Sequence, residues 1–310
     1  MKVLVTCPPM LGLIDEFRPR FSQAGVELHA PNVVQTLTEQ ELIGILPTQD
    51  GWIAGDDPAS RKVLKAGAAG RLKAVVKWGI GTDNVDFAAA REFGLKVSNT
   101  PGMFGAEVAD VAMAYLIGLA RSLFVIERGV RAGGWPKPRG VSLQGKVLAL
   151  VGLGDIGGNV ATRARAAGME LVAFDPRFEP GPRGDGIEVR RWPDGLALAD
   201  FLVLTCPLTS DTRHMIDQRA LALVKPGLRF VNVARGQLVD EGALIRALEQ
   251  GIVHSAALDV LEQEPLPANS PLRTFERCIF GSHNASNTLE GVRRASERAI
   301  SQLFEHLAIE

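Results

Sequence analysis

Lys146-Val-Leu-Ala-Leu-Val-Gly152-Leu-Gly154-Asp155-Ile156-Gly157 and its continuation to Asp175 decide how this chain folds. Val147 to Val151 is a short continuous apolar run, as a buried strand requires. The glycines follow at once, and Ile156, Val160, Ala164 and Ala167 then recur at helical spacing up to Gly168. A second apolar run, Leu171 to Phe174, ends at Asp175. The order strand, glycine turn, helix, strand, acid is that of a dinucleotide site. Gly152 permits the tight turn, Gly154 lets the backbone approach a pyrophosphate, and Gly157 lets helix and strand pack closely. The helix start offers unpaired N–H groups to phosphate oxygens. Asp175, about 20 residues beyond the turn, suits the ribose hydroxyls and disfavours a 2′-phosphate, so NAD is expected over NADP. Arg177 stands close enough to soften that preference, and Asp155 reads as a first-turn acid that favours the helix dipole.

Outward from this unit, the 310 residues suggest two domains. A net charge of −1 leaves no electrostatic footprint for nucleic acid or an anionic membrane. No apolar run is long enough to span a bilayer, and the N-terminus reads as a strand rather than a signal peptide. Cys7, Cys206 and Cys278 show neither metal spacing nor a disulfide framework, so no metal is expected and a cytoplasmic setting is.

Residues 1–100 alternate strand and helix patterns. Strands are predicted at 2–6, 26–29, 51–54, 72–78 and 96–98, with helices at 13–23, 38–45, 60–66 and 85–92. This is the pattern of a parallel, flavodoxin-like sheet. A longer helix should follow Gly102, with Val108, Val111, Ala112, Tyr115, Leu116 and Leu119 forming an apolar stripe available for packing between domains or copies. Residues 131–140 read as a loop. Further strands are expected near 187–190, 201–204, 229–233, 253–258 and 278–281, with a helix from 240 to 250. The last helix, 288–307, carries Asn287 and Glu290 in a capping-box relation and should return to the first domain. The expected fold is therefore α/β with two doubly wound parallel-sheet domains. A Rossmann cofactor domain, 101–284, is inserted in a flavodoxin-like substrate domain made of 1–100 and 285–310.

Four further stretches stand out: Lys77-Trp78-Gly79-Ile80-Gly-Thr-Asp-Asn-Val-Asp86, Val233-Ala234-Arg235-Gly-Gln-Leu-Val-Asp-Glu241, Leu258-Asp259-Val-Leu-Glu-Gln-Glu264-Pro-Leu-Pro267 and Gly281-Ser-His283-Asn-Ala-Ser-Asn-Thr288. With the glycine turn and Cys206-Pro207-Leu-Thr-Ser-Asp-Thr212, they resemble the D-isomer-specific 2-hydroxyacid dehydrogenases in that family's order. The pattern is similar to phosphoglycerate-dehydrogenase-type members without a C-terminal regulatory domain.

The resemblance implies NAD-dependent hydride transfer between a D-2-hydroxy acid and its 2-keto acid, and a homodimer joined through the cofactor domains. Such chemistry needs a base for the hydroxyl proton, and histidine titrates near neutrality. Among five histidines, only His283 follows a strand end and precedes a small-residue loop. On the residues alone a structural or surface histidine stays the commoner reading; the resemblance makes His283 the acid/base. It likewise implies that Glu264 pairs with His283, with Glu262 a competitor by proximity. Arg235 would anchor the substrate carboxylate and carbonyl. The turn at Trp78, Gly79 and Ile80 would offer N–H groups to that carboxylate. Cofactor contacts are implied for Gly152, Gly154, Asp155, Ile156, Gly157, Asp175, Cys206, Pro207, Thr212, Val233, Ala234, Asp259 and His283, Asp259 holding the nicotinamide amide or acting as a capping acid. Lys77 either points to solvent or, with Arg235, holds a second anionic group of a phosphorylated or otherwise dianionic substrate, which Trp78 would flank.

Two positions depart from the family: Phe104-Gly105, where many members carry asparagine or serine, and Asp155, where many carry arginine or an uncharged residue. The competing functions are phosphite or formate oxidation on the same scaffold, and an NAD-sensing, corepressor-like binding protein. Formate oxidation leaves a Glu–His pair without a proton to move.

Overall fold

A computed structural model describes residues 1–309 and divides them into two compact units, Met1–Met103 with the segment from Asn287, and Phe104–Ser286. In the first, β1 (Lys2–Val5), α1 (Pro8–Leu11), α2 (Ile14–Gln23), β2 (Glu27–His29), α3 (Glu39–Ile45), β3 (Gly51–Ala54), α4 (Arg61–Ala69), β4 (Ala74–Lys77), α5 (Phe87–Glu92) and β5 (Lys96–Asn99) follow in order. The strands form one parallel sheet in the order β2-β1-β3-β4-β5, the flavodoxin order. The central strands β3 and β4 are buried throughout, which is why they read as apolar runs up to Lys77 at the end of β4. Thr38 caps α3 with Glu41 in a full capping box.

The second unit opens with α6 (Gly105–Arg121) and α7 (Leu123–Arg131), then β6 (Val147–Val151), α8 (Asp155–Ala166), β7 (Glu170–Phe174), β8 (Gly181–Pro182), β9 (Ile187–Val189), β10 (Phe201–Leu204), α9 (Gln218–Ala222), β11 (Leu228–Asn232), α10 (Glu241–Glu249), β12 (Val253–Leu258) and β13 (Ile279–Phe280). Its sheet runs β13-β12-β11-β10-β6-β7-β9-β8, parallel except for the β8–β9 pair. The order reverses between β6 and β10, and ligands of such sheets bind beyond the strand ends at that point. Leu148, Leu202, Phe230 and Ala256 are sealed from solvent and form its core.

The chain closes with α11 (Leu289–Leu307), which packs on β3 and β4 of the first unit through buried Val292, Ala295, Ala299 and Leu303. Its cap is Thr288 rather than Asn287: Thr288 is the last extended residue, and its hydroxyl accepts from Gly291 N. The stripe on α6 also differs from expectation. Val108, Ala112, Tyr115, Leu116 and Leu119 are buried against α8, β11 and β12 within their own unit, so they form core and not a free face. Exposed apolar side chains here are Ile117 on α6 and, beyond it, Leu123, Phe124 and Val130 of α7 and Trp135. Among the described residues no single helix is long and apolar enough to cross a membrane; α6 and α7 pass together, but bent by 70°.

Candidate active site

The glycine turn joins β6 to α8 with Gly154 as the cap residue. Gly152 has φ +95°, and a Cβ there would lie 2.9 Å from Cys206 N. A Cβ on Gly157 would lie 2.0 Å from Gly152 O. Neither position admits a side chain, whereas at Gly154 the same atom would meet only Arg177 Nη2, at 3.8 Å. The open face thus coincides with the helix start, where a pyrophosphate must approach. Thr205 pins the turn from β10 by donating to Gly152 O at 2.9 Å and Val151 O at 3.0 Å.

Asp175 is buried at the end of β7 and accepts Leu153 N at 2.8 Å. Arg177 adds bonds from Nε at 3.0 Å and Nη2 at 2.7 Å. Burial works against the carboxylate's charge, yet the bonds from Arg177 and Leu153 outweigh it and bring Asp175 down to about 2. It is an anion at any physiological pH, placed to accept hydroxyl protons of a ribose. The guanidinium that shares it is largely exposed.

Cys206 and Pro207 lie beside this turn, and Thr212 closes their loop by donating to Pro207 O at 2.8 Å. Val233 and Ala234 are buried beyond β11, with Ala234 N bound to Asn232 Oδ1. Asp259 follows β12 and is 3% exposed. It holds the His283 loop by three contacts: its carbonyl accepts His283 N at 2.7 Å, and its carboxylate accepts Ala285 N at 3.1 Å and Asn284 N at 3.4 Å. Tyr115 donates to the same carboxylate at 3.3 Å. Asp259 thus ties down the His283 loop, and a carboxylate's four acceptor sites leave capacity for a ligand amide as well.

His283 occupies the left-handed region, φ 55°, which a non-glycine residue adopts only where its surroundings hold it. Those bonds to Asp259 hold it. Its Nδ1 lies 2.8 Å from Glu264 Oε2, with the two side chains 23% and 24% exposed. Glu264 Oε1 accepts Leu261 N at 3.0 Å, which fixes the carboxylate independently of the histidine. Glu262 instead lies 2.5 Å from His214 Nε2. The segment after β12 therefore carries two Glu–His pairs. Arg235 precedes the short 3₁₀ turn Gly236–Leu238, where a Cβ on Gly236 would lie 1.9 Å from Leu261 C. The arginine turn is thus seated on the backbone that leads to Glu264.

The first unit holds Lys77-Trp78-Gly79-Ile80 at the end of β4. Lys77 does not reach solvent: it is 3% exposed, and Nζ donates to Asp56 Oδ1 at 3.0 Å and to Trp78 O at 2.8 Å. Trp78 is buried and donates to Ser296 of α11 at 3.1 Å. Gly79 has φ +120° and gives its N–H to Thr100 Oγ1 at 2.8 Å. Of this turn, the amides of Ile80 and Gly81 have no partner among the described residues. Thr100 and Thr205 escaped the sequence reading, and Tyr115 was read only as part of the apolar stripe, because a hydroxyl within an apolar or threonine-bearing run carries no periodic signal. Gly281 was the available hint for Tyr115, since a Cβ there would meet its hydroxyl at 2.5 Å and Asp259 Oδ1 at 2.1 Å.

With that geometry in place, residues 113–285 match the family model described as D-isomer specific 2-hydroxyacid dehydrogenase, NAD binding domain. The chain is 37% identical over 279 residues to D-3-phosphoglycerate dehydrogenase 3, chloroplastic, of Arabidopsis thaliana, covering 87% of this chain and 47% of that protein. It is 35% identical to the hydroxypyruvate reductase of Thermotoga maritima, covering 88% of this chain and 90% of the relative. A solved glyoxylate reductase from Paecilomyes thermophila superposes with a TM-score of 0.84 at 30% identity, covering 98% of this chain and 94% of that one. The chain spans about half the length of several of the curated relatives it matches, the plant protein among them. The glycine cradle and buried ribose acid fit the cofactor that the family model specifies, NAD. The chain belongs to the D-isomer-specific 2-hydroxyacid dehydrogenase family.

Proposed function

We propose that this chain interconverts a D-2-hydroxy acid and its 2-keto acid with NAD, and that His283 is the acid/base. The observation that carries this is the 2.8 Å pair between His283 Nδ1 and the independently anchored Glu264. Nδ1 is engaged by the carboxylate, so Nε2 is the nitrogen that exchanges a proton with substrate. In oxidation Nε2 takes the hydroxyl proton, and Glu264 stabilises the imidazolium that results. Arg235, whose Nη1 also donates to Ala234 O at 2.8 Å, is assigned to the substrate carboxylate and the developing carbonyl. NAD, when bound, supplies the hydride acceptor, held through Gly152, Gly154, Ile156, Gly157, Asp175 and Asp259.

The substrate is read as a small monoanionic 2-keto acid of the glyoxylate or hydroxypyruvate class. Related proteins carry the names glyoxylate reductase and hydroxypyruvate reductase. The charge that a dianionic substrate would need from Lys77 is already committed to Asp56. NADH consumption against a panel of 2-keto acids, with a phosphorylated member included, tests this: turnover only on the phosphorylated acid refutes the substrate class, and no turnover on any refutes the activity.

Two copies are read as associating through the exposed apolar side chains of α7 and the 77%-exposed Trp135. A monomeric mass by light scattering at micromolar concentration would contradict this.

A further inference from the structure

Gly105 and Asp155 meet each other in the structure. A Cβ built on Gly105 would lie 2.2 Å from Asp155 Oδ1, 2.5 Å from Oδ2 and 2.4 Å from Cγ. The carboxylate therefore lies flat against the bare Cα of the first residue of α6. Gly105 has no positive φ, so what it provides is space and not backbone freedom. Asp155 also stands at the head of a polar ladder along the face of α8 that packs on α6. Asn159 Nδ2 reaches Asp155 Oδ1 at 3.4 Å, Arg163 Nη1 reaches Asn159 Oδ1 at 3.0 Å, and Arg163 Nε reaches Asp110 Oδ1 at 2.8 Å. Both ends of the ladder are thus tied to α6.

Asp155 is also the first residue of α8, at the helix start that faces the open side of Gly154. A carboxylate turned toward that side would oppose the pyrophosphate it should help receive. We propose that Gly105 is a positioning residue for cofactor binding: it provides the slot that keeps the Asp155 carboxylate on the N-terminus of α6 and out of the phosphate cradle. There the charge meets the positive end of the α6 dipole. A side chain at 105 would displace the flexible end of Asp155, which is exposed and yields more readily than either backbone. This inference rests on the NAD site alone and is independent of which hydroxy acid is turned over.

The test is NADH binding followed by fluorescence titration in four proteins: wild type, Gly105→Ala, Asp155→Asn and the double variant. Gly105→Ala should weaken NADH binding by about tenfold at low ionic strength, and less as salt is added. Asp155→Asn should bind at least as tightly as wild type, and the double variant should recover to within about twofold of it. Adenosine, which carries no phosphate, should bind Gly105→Ala and wild type alike. Asp155→Glu gives a second route to the same answer without touching α6: one added methylene does not fit the slot, and the longer acid should weaken NADH in the same salt-dependent way. Unchanged NADH affinity in both Gly105→Ala and Asp155→Glu would overturn the proposal. So would a double variant as weak as Gly105→Ala, which would mark the loss as one of packing.

Discussion

Replacing Glu264 with glutamine separates charge from shape at the proposed acid/base pair. The carboxylate reaches His283 Nδ1 at 2.8 Å through one oxygen and accepts Leu261 N at 3.0 Å through the other. Glutamine keeps the volume and one acceptor but loses the charge, and sets its amide against one of two donors. Unit charges about 4 Å apart attract by about 1 kcal/mol in water and about 4 kcal/mol at an effective dielectric near 20. Side chains 23% and 24% exposed place this pair between those limits, near ~2 kcal/mol. That is equivalent to roughly one and a half pH units. Keto-acid reduction requires the imidazolium, so the high-pH limb of its kcat/KM profile should move to lower pH by about that amount. The assay is the initial rate of NADH consumption over a buffer series, with NADH affinity measured in parallel by fluorescence. A limb that stays in place, or a fall in NADH affinity that accounts for the rate loss, would refute the pairing as a source of acid/base tuning.

Changing His283 to Gln should lower turnover by about 10²–10⁴-fold while leaving NADH binding near wild type, as equilibrium titration beside steady-state rates would show. Asp175→Ala should raise the NADP-to-NAD ratio of kcat/KM, because a buried anion is removed and Arg177 is released to meet a 2′-phosphate; a wild type that already prefers NADP would contradict the assignment. His254 offers a pH test of stability: burial, then the charges of Arg229 and Arg277, bring it from 6.5 down to about 4. The unfolded chain then binds that proton first, so its contribution is intact above pH 6.5 and is lost as pH falls toward 4. Thermal unfolding from about pH 7 to about pH 4.5 should show a smaller decline for His254→Asn, by about 1 kcal/mol after solvent screening.

The glycine turn was legible because strand period, glycine spacing, helix period and terminal acid each have a local cause and agree. The same held for the helix that starts at Asp240, whose capping side chain sits within four residues of its donor. What lay hidden depended on partners distant in sequence. Lys77 reads as a strand-end lysine, and nothing near it announces Asp56 across the sheet. Periodicity marked the stripe on α6 but could not say what covers it. The break between α6 and α7 falls at Ser122, φ 54°, with neither glycine nor proline between Arg121 and Leu123 to signal it. At the proposed pair, proximity alone left Glu262 and Glu264 equivalent. The fold separates them by giving each its own histidine.

The seating of Gly236 on Leu261 also bears on how such a protein can be redesigned. Because no side chain fits at 236, the arginine turn and the segment leading to Glu264 form a single casting, and neither can be lengthened without dislodging the other. The Gly79 turn is built on a different unit and is secured there by Thr100 and by buried Lys77, which bonds Asp56 and Trp78 O. Loop grafting aimed at a new acid should therefore be directed to residues 78–81, where a failed exchange leaves the proton-handling framework unaltered.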